Sequence, residues 1–128
     1  MRNADQVTYI FQDAWSLHED ALEELGRGKL RNAAEKAWGA TKRATDALIL
    51  ARTGEEPATT ARTSVGLRRL ASQERRLDSL VARYYTRIGS LHGECFYDGI
   101  CEPQDDIERR IRETADYIRD AQELAGAR

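Results

Sequence analysis

At 128 residues, 41% hydrophobic and 33% charged, the chain suits a single domain, residues 1–128, and its evenly spread apolar residues exclude intrinsic disorder. A formal net charge of −2 excludes a globally basic, nucleic-acid-coating protein. No run of about 18 apolar residues offers a membrane span, and the N-terminal Met-Arg-Asn-Ala-Asp-Gln is not that of a signal peptide, so a cytoplasmic location is expected.

The first helix is expected from about Asp5 to Gly26, where Val7, Ile10, Phe11, Ala14, Leu17, Ala21, Leu22 and Leu25 recur at helical spacing. Asn3 or Asp5 can cap its start, and Gly26 and Gly28 can stop it and turn the chain into an antiparallel neighbour. The second helix is expected over Leu30–Thr53, with a small-residue inner face of Ala33, Ala34, Ala37, Thr41, Ala44 and Ala51. Gly39 in its middle points to close helix packing, because glycine there otherwise costs about 1 kcal/mol relative to alanine. After an exposed loop at Glu55–Thr60, a helical pattern runs from Thr63 to Tyr97 with a break expected near Ser72–Arg75. Asp98-Gly99 forms a turn, and Pro103 with Asp105, Asp106 and Glu108 opens a fifth helix carrying Ile107, Ile111, Ala115, Ile118, Ala121 and Ala125. The expected fold class is all-α, an up-and-down helical bundle of about five helices.

Charge is uneven along the chain. Arg62, Arg68, Arg69, Arg75, Arg76, Arg83 and Arg87 are opposed only by Glu74 and Asp78, whereas acids dominate from Glu94 to Glu123. The arginine run is either one basic face or a general preference for Arg over Lys. Two cysteines make no disulfide framework. Cys95 and Cys101 can bridge only if the turn after Phe96 folds back, and separate buried or reduced thiols are the expectation.

The chemistry-bearing candidates cluster in the fourth helix. In α-helical geometry Arg87 and His92 lie about 140° apart and about 7.5 Å along the axis, flanking an apolar stripe through Leu77, Ile88 and Cys95. They do not converge within one helix but can do so across a two-fold axis. A histidine can take the proton of a ribose 2′-hydroxyl, and an arginine can hold the phosphate and its developing charge, which suffices for metal-independent RNA cleavage. Arg76 and Arg83 can add phosphate contacts, and Tyr84, Tyr85, Phe96 and Tyr97 can stack bases. The plainer alternatives are core aromatics at helical spacing and a core histidine. His92, Cys95 and Cys101 with Glu94 or Asp98 fit no usual zinc spacing, so no metal or other cofactor is expected.

Two segments resemble a known family. Ala33-Ala34-Glu35-Lys36-Ala37-Trp38-Gly39-Ala40 is similar to the second-helix motif of the PaREP group, and Leu91-His92-Gly93-Glu94-Cys95-Phe96-Tyr97 is similar to its fourth-helix motif, with Cys95 where that family more often has Asn. That group resembles the HEPN superfamily, whose signature is an Arg followed after four to six residues by a His; Arg87 and His92 fit it. The resemblance implies a dimeric helical bundle with Arg87 and His92 as catalytic residues near the dimer axis, acting as a metal-independent endoribonuclease. Some such domains are toxins paired with a nucleotidyltransferase antitoxin. Others bind nucleotides or partners without catalysis. Ile88 departs from active members, which often carry a polar residue directly after the Arg.

Overall fold

In the computed structural model, residues 3–126 are described. They form α1 (Asn3–Gly26), α2 (Leu30–Thr53), α3 (Thr60–Gln73), a 3₁₀ turn (Arg75–Leu77), α4 (Asp78–Arg87) running into a π-helical segment (Ile88–Tyr97), α5 (Gln104–Arg112) and α6 (Thr114–Gly126). No strand occurs among the described residues, and the all-α bundle is as the periodicity predicts. No described helix is long and apolar enough to cross a membrane.

The α1–α2 hairpin is the frame. Gly28 sits at φ 75° in the turn, and Gly54 at φ 84° ends α2 with its N–H donating to Leu50 O, a left-handed stop that a Cβ would strain. Asn3 already lies inside α1, so it is not the cap, and the position before it is outside the described residues. Ala33, Ala34, Ala37, Ala40, Ala44 and Ala47 are fully buried along α2. These short side chains let α2 touch all five other helices and the π segment, so it forms the shared wall of the core. Leu48, Leu67, Leu77, Leu80, Leu91, Ile111 and Ile118 fill that core.

Polar pairs fix the helices around it. Buried Asp46 accepts from Lys42 at 2.8 Å and from Thr63 at 2.6 Å, joining α2 to α3. Burial pushes its carboxyl above the ordinary value, opposed by those two donors. Thr59 caps α3 by accepting from Arg62 N–H at 3.1 Å. The break comes at Glu74, whose backbone is extended (φ −143°, ψ 109°) and whose carboxylate is bound by Arg52 and Arg76.

Two features depart from expectation. The fifth helix is two: Glu113 at ψ −4° kinks the chain, so that Thr114, Tyr117, Ile118 and Ala121 all reach the core. The end of the fourth helix is π-wound, and its turn carries on past Tyr97. Ile100 N–H donates to Glu94 O at 2.8 Å and Gly99 takes φ 75°. The chain thus folds back and brings Cys95 and Cys101 to 4.4 Å between Cα atoms, where they form a disulfide instead of separate thiols.

Candidate functional site

His92 lies in the π segment, with its side chain 39% exposed. Its Nδ1 is 2.7 Å from Oε1 of Glu35 on α2. With Glu35 ionised, Nδ1–H donates to the carboxylate, and Nε2 is left as the ring's acceptor and base. Phe96 stacks against the imidazole at 6.3 Å between centroids, and Trp38 lies tilted at 6.1 Å. Arg31, one turn before Glu35, donates to Phe96 O at 3.0 and 2.6 Å and to Tyr97 O at 3.3 Å. It thereby satisfies carbonyls that the helix end leaves without partners. The disulfide at Cys95 and the Arg31 clamp together hold this end of the segment in place.

Arg87 is elsewhere in chemical terms. Only 5% exposed, its Nε donates to Thr41 Oγ1 at 2.8 Å, its Nη2 donates to Thr114 Oγ1, and its guanidinium lies 5.9 Å from the Tyr117 ring. Burial holds its pKa down at about 10, so it remains charged at neutral pH. Among the described residues no carboxylate is within ion-pair distance of it. Tyr117 is itself fully buried, its hydroxyl 2.7 Å from Thr45 Oγ1. The α-helical geometry assumed for the spacing of Arg87 and His92 ends at Arg87, because i→i+5 winding begins at Ile88 and widens each turn. Both side chains reach α2, Arg87 at Thr41 and His92 at Glu35, yet they share no partner.

The remaining candidates separate by exposure. Tyr84 is fully buried, edge-on to Trp38 at 5.3 Å with its hydroxyl 2.8 Å from Ser64 Oγ, and so it is core and no base platform. Tyr85 is 37% exposed and Tyr97 75%, both open to a ligand. Arg76 pairs with Glu74, and Arg83 pairs with Asp120 at 2.6 Å while lying over the Tyr117 ring. Among the described residues no His/Cys/Asp/Glu group is arranged to hold a metal, and the disulfide removes both candidate thiols. Periodicity and spacing leave Glu35 unmarked; its one signal is a carboxylate on the α2 face that also carries Trp38. Thr41 and Thr114 are neutral residues that nothing in the pattern marks as arginine partners.

A family model, the Archaeal PaREP1/PaREP8 family, matches residues 12–117. No curated protein and no solved structure matches the chain.

Proposed function

The chain belongs to the archaeal PaREP1/PaREP8 family, and from that premise we propose that it is a HEPN-type domain handling RNA or a ribonucleotide at the face around His92. The observation that carries this reading is the 2.7 Å hydrogen bond from His92 Nδ1 to Glu35 on a part-exposed ring. A carboxylate on Nδ1 fixes the tautomer and stabilises the imidazolium that forms when Nε2 takes a proton. In the catalytic form, Nε2 removes the proton of a ribose 2′-hydroxyl and the 2′-oxygen attacks the neighbouring phosphorus. The P–O5′ bond then breaks, with the leaving oxygen taking a proton from the imidazolium. One fragment ends in a 2′,3′-cyclic phosphate and the other in a 5′-hydroxyl. Tyr97 and Tyr85 offer aromatic faces to bases.

The burial of Arg87 favours a second reading. With its guanidinium held by Thr41 and Thr114, no cation from the signature stands beside His92. The domain then acts as a non-catalytic module that binds a nucleotide or a partner such as a nucleotidyltransferase, and self-associates as a homodimer.

Labelled single-stranded RNA incubated with the purified protein separates the two. The catalytic reading expects cyclic-phosphate fragments, with the rate falling about 10²–10⁴-fold in His92→Ala and less in Glu35→Gln. Equal cleavage by wild type and His92→Ala removes His92 from the chemistry. Saturable nucleotide binding without cleavage supports the second reading.

A further inference from the structure

Between α4 and the α5–α6 junction lies a cavity of about 330 Å³ lined by Ala82, Arg83, Thr86, Arg87, Arg110, Glu113 and Asp116. It shares no residue with the His92–Glu35 pair. We propose that this cavity binds a phosphate group, with Arg87 as its floor and Arg83 and Arg110 as its walls.

The charges around it favour an anion. Arg83 uses Nη1 on Asp120 at 2.6 Å, and Arg110 uses Nε on Asp106 at 2.9 Å, so each keeps further N–H donors for a ligand. The two lining acids are engaged, Glu113 by Arg109 at 3.2 Å and Asp116 by Arg119 at 3.3 Å. Asp106 also binds Arg109, so these groups form a shared network in which Arg83, Arg109, Arg110 and Arg119 balance Asp106, Glu113, Asp116 and Asp120. Arg87 has no ion pair of its own: its hydrogen-bond partners among the described residues are two neutral hydroxyls, and Glu113 acts on its charge only from beyond ion-pair distance. A buried cation without a carboxylate is costly, and an anion in the adjoining cavity relieves that cost. Three guanidinium-bearing residues lining one cavity suit the several oxygens of a tetrahedral phosphate better than a planar carboxylate. The volume also leaves room for the group that the phosphate is attached to, so the shared chemistry is that of a phosphate monoester or of free phosphate.

Calorimetric titration of the full chain at low ionic strength tests this, using inorganic phosphate, AMP and adenosine in turn. Inorganic phosphate or AMP should bind saturably and adenosine should not. Binding by both identifies the free ion as sufficient, and binding by AMP alone identifies a nucleotide monoester. Arg110→Gln, at a part-exposed position, should weaken binding about tenfold. Thr86→Glu, an exposed change that puts a carboxylate at the mouth, should abolish binding and raise the melting temperature of the ligand-free protein. Absence of saturable binding by both phosphate and AMP, or binding unaltered in both variants, overturns the proposal. The titration does not involve His92 chemistry, so failure to cleave RNA leaves it standing.

Discussion

Arg87 brings a full charge into the interior against two threonine hydroxyls and an aromatic ring. Replacing buried ion pairs by apolar side chains of similar volume is often neutral or stabilising, and removing Arg87 leaves no opposite charge stranded, only two hydroxyls. Arg87→Met is therefore expected to hold or raise stability in urea unfolding, whereas Leu80→Ala in the same helix should cost about 2–5 kcal/mol. A loss in Arg87→Met as large as that of Leu80→Ala would mean that the guanidinium is a structural tie. His18 gives a second prediction. It is buried with Nδ1 unpartnered, and burial lowers its pKa from 6.5, reinforced by Arg87 and Arg119 and opposed by Glu19. The unfolded chain then binds the proton more readily than the folded one. The stability contribution is complete above 6.5 and is lost as pH falls from there through the depressed folded value. Melting temperatures taken between about pH 8 and pH 5 should fall on the acid side, and His18→Leu should flatten that fall. An unchanged slope in the variant would assign the effect to other groups. At this scale the sequence named His92 and Arg87 but not their partners. Periodicity ranks a residue by its face, and hydroxyls or carboxylates arriving from another helix leave no trace in the spacing.

At the scale of elements, the helices and the break near Glu74 were legible because apolar stripes and glycine stops carry them. The π winding was not, since Ile88, Leu91 and Cys95 also fit three- and four-residue spacing. The kink at Glu113 was equally hidden, with neither glycine nor proline there to mark it. Gly39 is a different lesson. A Cβ there would meet Leu17 Cδ1 at 3.6 Å, an ordinary contact, so this glycine does not mark a close approach. Gly39→Ala should stabilise by about 0.5–1 kcal/mol through backbone entropy alone. The tight position is Gly66 in α3, where a Cβ would stand 3.0 Å from Ile49 Cδ1. Gly66→Ala should gain less than Gly39→Ala, or lose. Chemical denaturation of the two variants side by side checks the pair, and equal gains would contradict the packing argument.

For the whole molecule, the arginine-rich stretch is divided: Arg62, Arg68 and Arg69 on α3 stay exposed with no ion pair among the described residues, whereas the four that follow are paired or interior. Arg75 pairs with Asp78, Arg76 with Glu74 and Arg83 with Asp120, and Arg87 is interior. Local charge counts cannot show this, because Asp120 arrives from α6, far along the chain. α2 has the opposite character, with one helix in contact with all the others. A wall common to every neighbour cannot open toward one of them without releasing the rest. Amide hydrogens from Ala37 to Ala47 should accordingly exchange with deuterium only through global unfolding, at a rate that tracks denaturant stability. Those in α5 should exchange sooner, through local openings that leave the remainder intact.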